Sequence, residues 1–181
     1  MESLSTPTFF LLIFLLAGWI YRSGRSLSEL KFAPRLKLTG SPDRHGRVSV
    51  LIPAKNEEKN IADCVKPFLA QLREGDEVIV INNCSTDRTQ TILRELGAVE
   101  MKGDIKGTIP LETLGGLSPS AVRFRYINTP PTPEGWTGKN FALHLGVQHA
   151  SGDWFLFTDA DTRHEPGSIN AALGFAEEKK L

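Results

Sequence analysis

The amino-acid sequence predicts an α/β domain with a mostly parallel sheet flanked by helices, and three observations carry that reading. Two compact runs rich in β-branched residues, RVSVLIP (47–53) and EVIVIN (77–82), are each followed by apolar residues at helical spacing. A third apolar run, WFLFT (154–158), comes after another helical stretch. Buried strands alternating with amphipathic helices are the pattern of parallel strands joined by crossovers.

Taken in order, the first segment differs from the rest. TFFLLIFLLAGWIY (8–21) carries no charge, ends in Trp19 and Tyr21, and is followed by Arg22, Arg25, Lys31, Arg35 and Lys37. Residues 1–25 are therefore expected to form an N-terminal membrane anchor, whose uncharged run 8–21 is shorter than the ~20 residues of a comfortable span. A signal-peptide core is disfavoured because MESLSTPT is acidic and no small-x-small cleavage site follows; a buried or interfacial helix is the other alternative. Positive charge on the C-terminal flank predicts a single-pass protein whose globular part is cytoplasmic. Residues 26–46, polar and basic with Pro34, Gly40 and Pro42, read as a juxtamembrane linker.

The folded part is expected over 47–181. RVSVLIP reads as a strand buried on both faces and stopped by proline. Ile61, Val65, Phe68, Leu69 and Leu72 then form one apolar stripe of a helix that contains Pro67, a potential kink. EVIVIN repeats the strand pattern. In STDRTQTILRELG, Ser85 or Thr86 is the expected N-cap, Ile92, Leu93 and Leu96 the apolar face, and Gly97 the stop. Residues 101–121, rich in Gly and Pro, read as an excursion, and VRFRYI (122–127) as a strand with one exposed, basic face. A helix is expected after Gly138, packing through Phe141, Ala142, Leu145, Val147 and Gln148. WFLFT is one more buried strand, and another helix is expected near Pro166.

Bulk properties limit the function classes. With 181 residues, 40% hydrophobic and 23% charged, the chain can bury one core. Twenty-one basic residues balance twenty-one acidic ones, so no nucleic-acid partner is expected. Cys64 and Cys84 lack a CxxC spacing and the four histidines form no HxxxH pair, which argues against a zinc site. Both cysteines read as reduced and structural, although the loop position of Cys84 leaves a functional role open.

Polar residues gather where each strand ends: PAKNEE after the first, NNCSTD after the second, DADTRH after the last. In open parallel sheets, ligands collect outside the carboxyl ends of the strands. Asp159 and Asp161, at i and i+2, can point to the same side of extended chain, and neighbouring carboxylates repel unless a cation lies between them. Such hard oxygen ligands suit Mg²⁺ or Mn²⁺, which take their remaining ligands from water and a substrate's phosphates. The alternative is a solvated acidic turn that caps the following helix.

VSVLIPAKNEEKNI, EVIVINNCSTDRTQTI, GWTGKNFALHLG and ASGDWFLFTDADT, in that order, resemble the motifs of family 2 glycosyltransferases with the Rossmann-like GT-A fold. PPTPEGWTGK (130–139) is similar to the membrane-attached branch associated with hopanoid and carotenoid glycosylation. The resemblance covers about Arg47 to Pro166. It implies that Pro53, Ala54 and Glu57 contact the nucleotide of a nucleotide-sugar donor, that Lys139 lies near its diphosphate, and that Asp159 and Asp161 form the DxD that holds a divalent ion. Asn83 falls where the family usually has an aspartate that binds uracil; an amide donates as well as accepts, so base preference is left open. Lys139 also reads as a solvated lysine at a helix start, and Asp153 as either a donor-site residue or the closure of a turn. The implied acceptor is lipid-like or another hydroxyl.

The resemblance further implies a general base in an acidic motif well downstream of the DxD. Only twenty residues follow Asp161, and neither Glu177 nor Glu178 is a convincing substitute. His164 is a possible ligand or base by proximity alone. The chain is thus read as a donor-binding part, truncated, with two alternatives: a catalytically inactive, membrane-tethered nucleotide-sugar-binding fragment, or half of a split enzyme. FLFTDADT also fits the haloacid-dehalogenase pattern, in which the first aspartate is a nucleophile. There the motif opens the domain, whereas here it lies near the end of the chain. No GxGxxG follows the first strand, which disfavours a dinucleotide-binding domain.

Overall fold

The computed structural model describes residues 6–32, 46–101 and 123–179. The chain divides into two compact units, Met1–Lys37 and Leu38–Leu181.

In the first unit, helix α1 spans Thr6–Phe32, running past the expected anchor into the stretch read as linker. Among its described side chains, large apolar ones such as Phe10, Phe14, Trp19 and Tyr21 are exposed. The expected spanning helix is not supported: among the described residues no helix is long and apolar enough to cross a membrane. The uncharged run from Thr8 to Tyr21 covers about 21 Å at ~1.5 Å per residue, against ~30 Å of hydrocarbon. Arg22 and Arg25 then charge the next turn of the same helix.

In the second unit, β1 (Val48–Ala54), β2 (Glu77–Asn82), β3 (Val99–Glu100), β4 (Phe124–Asn128) and β5 (Trp154–Phe157) form a five-stranded sheet in the order β3-β4-β2-β1-β5. Every pairing is parallel. The connecting helices are α2 (Ile61–Leu69), α3 (Thr89–Glu95) and α4 (Gly138–His149), and α5 (Ser168–Lys179) follows β5. Residues 102–122, nearly all of the Gly- and Pro-rich excursion, lie outside the described residues.

Alternation along the strands builds a core on each face of the sheet. Val48, Val50, Ile52 and Ala54 pack with Ile61, Val65 and Phe68 of α2, Leu93 of α3, and Ile169 and Leu173 of α5. Leu51, Ile79, Ile81 and Ile127 turn to the other face, where Ala142 of α4 lies. Full burial of such aliphatic side chains contributes about 1.5–3 kcal/mol each. Gly146 lets α4 approach closely, since a Cβ there would come within 2.8 Å of Ile81 Cδ1.

Several expectations are corrected. Helix α2 runs through Pro67 but ends at Leu69, so Leu72 lies beyond it. Neither Ser85 nor Thr86 caps α3: Asp87 Oδ1 accepts from Thr89 N (2.9 Å) and Thr89 Oγ1 (2.6 Å), while Ser85 and Thr86 bond Asn56. Gly97, with φ of +89°, does end the helix. On α4, Gly146 is buried where Val147 and Gln148 were expected, and those two are exposed. Strand β5 is not buried on both faces: Phe155 and Phe157 are 44% and 50% exposed, because β5 ends the described sheet.

Strand β4 has no exposed basic face, since it lies between β3 and β2 and Arg125 is buried. Arg125 Nη2 pairs with Glu77 Oε2 at the amino end of β2. Glu77 Oε1 accepts from Ser49 Oγ (2.6 Å), Ser151 N (2.6 Å) and Ser151 Oγ (2.9 Å). Gly152 N donates to Ser49 Oγ at 2.9 Å. This cluster fastens the α4–β5 connection to the foot of the sheet, which sets where the other ends of α4 and β5 emerge.

Candidate functional site

Strand β1 has β2 on one side and β5 on the other. Ligands of open parallel sheets bind at such a reversal of strand order, beyond the carboxyl ends of the strands. There the register sets Pro53 opposite Ile81 and Leu51 opposite Phe157. The loops after the three strands and the amino end of α4 enclose a cleft of about 440 Å³. All seven residues singled out from sequence, Pro53, Ala54, Glu57, Asn83, Lys139, Asp159 and Asp161, line it. Lys55, Gly138, Ala142 and Ala160 complete the wall.

The β1 and β2 loops brace each other. Asn56 N donates to Ser85 Oγ (2.9 Å), Thr86 N to Asn56 Oδ1 (2.8 Å), and Glu57 N to Thr89 Oγ1 (2.9 Å). Asn56 (φ +57°) and Cys84 (φ +51°) hold left-handed backbone, uncommon for residues other than glycine. Glu57 Oε2 accepts from Asn60 Nδ2 at 2.9 Å, which keeps the carboxylate on its own loop.

Asn83 is buried, with Oδ1 accepting from Thr129 Oγ1 at 3.0 Å. Its amide nitrogen lies against Gly138: a Cβ there would sit 2.5 Å from Asn83 Nδ2. Gly138 opens α4 and Thr137 caps it, accepting from Asn140 N. Gly138→Ala is accordingly expected to displace the Asn83 amide and weaken binding of whatever ligand the cleft takes at least several-fold, with little change in melting temperature, because alanine suits the helix itself. Parallel titration and thermal unfolding check this.

Beyond β5, Ala160 is buried (3% exposed) while Asp159 and Asp161 on either side are exposed. The alternation anchors the turn through Ala160 and presents both carboxylates to the cleft. Neither caps α5, which starts at Ser168 with Ser168 N bonded to Glu165 O. Lys139 Nζ lies 2.6 Å from Asp159 Oδ1, so a cation already faces one carboxylate. Among the described residues no group of three or more His, Cys, Asp or Glu could by itself hold a metal. Two hard carboxylates suit an ion that completes its shell with water and phosphate oxygens, and on that chemistry the donor set fits Mg²⁺ or Mn²⁺.

The support beneath this turn was not legible in the sequence. Thr162 Oγ1 donates to Asp159 O at 2.7 Å and lies 2.8 Å from Thr158 Oγ1. His164 Nε2 is 2.8 Å from Thr158 Oγ1 and 3.0 Å from Thr162 Oγ1, and its ring lies 4.3 Å from that of Phe68. Cys64 Sγ bonds Asp159 O at 3.5 Å; burial pushes this thiol up, as suits a structural cysteine. His164 therefore sits behind the turn and does not line the cleft.

Burial lowers His164 below its ordinary 6.5. The folded state thus favours the neutral ring, and the unfolded chain binds the proton first as pH falls. Stability from this site is complete above about 6.5 and is lost as pH falls below it toward the depressed folded value. His164→Gln is expected to flatten the fall in melting temperature just below pH 6.5, as thermal melts at stepped pH would record.

Asp153 is no part of the cleft. It stands at the amino end of β5, accepting from Arg47 N (2.9 Å) and Arg47 Nε (3.3 Å), bonds that lower its pKa. It closes a turn. Both cysteines are free, with Cys84 Sγ on Thr129 O.

Comparison with known proteins agrees with this architecture. The chain is 33% identical over 114 residues to a 4,4'-diaponeurosporenoate glycosyltransferase of Staphylococcus haemolyticus, a match covering 63% of the chain and 24% of that protein. A Staphylococcus aureus protein of the same name is 31% identical over 119 residues, covering 65% and 24%. The chain thus spans about a quarter of the length of these relatives. Among solved structures, Pyrobaculum calidifontis mannosyltransferase PcManGT, in complex with GDP-Man and Mn²⁺, aligns with a TM-score of 0.54 at 20% identity, covering 87% of this chain and 39% of that one. Residues 1–349 of S. aureus TarS align with a TM-score of 0.52 at 20% identity, covering 73% and 32%. These two share the fold. The model of glycosyl transferase family 2 matches residues 49–109 and 116–181, most of the chain, and the chain belongs to that family.

Proposed function

We propose that this chain is the donor-binding part of a glycosyltransferase that moves a sugar from a nucleoside diphosphate to a lipid-like or other hydroxyl acceptor. The observation that carries the reading is the meeting of Asp159, Asp161 and Lys139 with the ends of β1 and β2 in one cleft. In this reading Pro53, Ala54 and Glu57 border the nucleoside, and Asn83 addresses the base. Lys139 offers its ammonium to the diphosphate, where a compact point charge suits phosphate oxygens. Asp159 and Asp161 hold Mg²⁺ or Mn²⁺. When bound, such an ion offsets the negative charge that builds on the departing nucleoside diphosphate. Ala160, Thr162 and His164 keep the two carboxylates oriented.

One observation favours a second reading, a nucleotide-sugar-binding unit that is inactive alone or half of a split enzyme. Among the described residues the only carboxylates lining the cleft are Glu57, Asp159 and Asp161. Glu57 is engaged by Asn60, so no unassigned carboxylate remains there to deprotonate an acceptor. Turnover of a nucleotide sugar with a lipid acceptor separates the two readings.

We also propose membrane attachment through α1 with the globular part on the cytoplasmic side. Its exposed apolar residues and the Arg22 and Arg25 flank support this, as does the likeness to relatives named for a carotenoid acid. Vesicle flotation of the full chain against one lacking residues 1–25 tests it. Equal flotation would refute it.

For the cleft itself, calorimetric titration of UDP and GDP with Mn²⁺ and then with EDTA is the direct test. Binding of one nucleotide is expected to weaken at least tenfold when the metal is removed. Affinity that ignores EDTA would overturn the metal-assisted reading.

A further inference from the structure

The contact between Lys139 and Asp159 has a consequence for how the cleft fills. Lys139 is the second residue of α4, Asp159 follows β5, and their 2.6 Å pairing crosses the mouth of the cleft. Both side chains are about half exposed, so the pair is held by charge in a wet setting and breaks at low cost. An ammonium and a divalent ion cannot share the same carboxylate oxygen without strong repulsion.

Resting on the reading of this site given above, we infer that Lys139 is the resident counter-ion of Asp159, and that it couples metal binding to nucleotide binding. A metal arriving alone competes with the ammonium for Asp159 and leaves it facing a second cation. A diphosphate arriving with the metal gives the same ammonium a new anion, so Asp159 is released to the metal as Lys139 turns to phosphate. Metal and nucleotide then bind cooperatively, each raising the affinity of the other by one and the same factor. The metal-free, nucleotide-free cleft is thereby kept nearer to charge balance, and free Mg²⁺ or Mn²⁺ binds it more weakly than it binds together with a nucleotide.

The test is Mn²⁺ binding without nucleotide, followed by the electron paramagnetic resonance signal of free Mn²⁺, on the full chain in detergent. Lys139→Met is expected to bind Mn²⁺ alone about fivefold more tightly than the native chain, the scale of one exposed ion pair. The same variant is expected to bind UDP or GDP in the presence of Mn²⁺ at least tenfold more weakly. These opposite signs distinguish a coupling residue from one whose loss merely damages the fold. Lys55→Met, which removes a charge from the same wall, should change Mn²⁺ affinity less than twofold. If Lys139→Met leaves Mn²⁺ affinity unchanged or weaker, or Lys55→Met tightens it equally, the coupling role is wrong. If nucleotide binding to the native chain is indifferent to Mn²⁺, the metal reading of the site fails, and the inference with it.

Discussion

Glu77→Ala is expected to destabilise the globular unit by about 3–5 kcal/mol, the cost of stranding a buried charge by removing its partner. Glu77 and Arg125 are 4% and 7% exposed. Burial already lowers the pKa of Arg125, and its Nε atom has no hydrogen-bond partner. Removing Glu77 leaves the guanidinium without its counter-ion and also deprives Ser49, Ser151 N and Ser151 Oγ of their acceptor. A unit of this size should lose roughly 10 °C of melting temperature. Glu77→Gln with Arg125→Met should recover part of the loss, since no charge is then left alone. Denaturant unfolding of the three proteins decides the matter: a loss under about 1 kcal/mol for Glu77→Ala would show that the cluster does not hold the α4–β5 connection.

Asp161→Ala should act in the opposite manner, with a large effect on binding and almost none on folding. The side chain is exposed and its neighbour Ala160 supplies the burial that anchors the turn, so melting temperature should move by no more than the ordinary scatter of surface substitutions. Loss of one charge-assisted ligand in the cleft is expected to weaken Mn²⁺-dependent nucleotide binding between tenfold and a hundredfold, or about 1.4–2.8 kcal/mol. Asp159→Ala should weaken it at least as much, with the added effect of freeing Lys139. Isothermal titration on both variants, beside their melting curves, checks the separation. A variant that melts early and binds normally would reverse the assignment.

The parts legible in the sequence are those whose cause is local. VSVLI and EVIVI are mostly apolar because β1 and β2 lie inside a parallel sheet, covered on both faces. The polar residues after each run were readable as cleft residues because strand ends of such a sheet share one edge. What was not legible depends on partners distant in the chain. Arg125 looks like a solvent-facing base in an alternating strand until the register that sets Val78 opposite Phe124 brings it beside Glu77. Phe155 and Phe157 look buried until β5 is known to end the described sheet. Asp87, just before α3, accepts from Thr89 N through one oxygen and from Glu58 N at 3.0 Å through the other, a link between two loops that neither motif announces. His164 reads as a possible ligand or base by proximity, and Thr158 and Thr162 have no assigned role in the sequence, yet their hydrogen bonds hold the turn of the acidic pair.

The most direct measurement is an anomalous difference map, at the manganese absorption edge, from crystals of the chain grown with Mn²⁺ and the nucleoside diphosphate that binds. The account predicts a single strong peak within ligand distance of Asp161 and Asp159, with the diphosphate on its far side and Lys139 turned from Asp159 toward phosphate. Manganese bound elsewhere, or a nucleotide seated away from the ends of β1, β2 and β5, would contradict it.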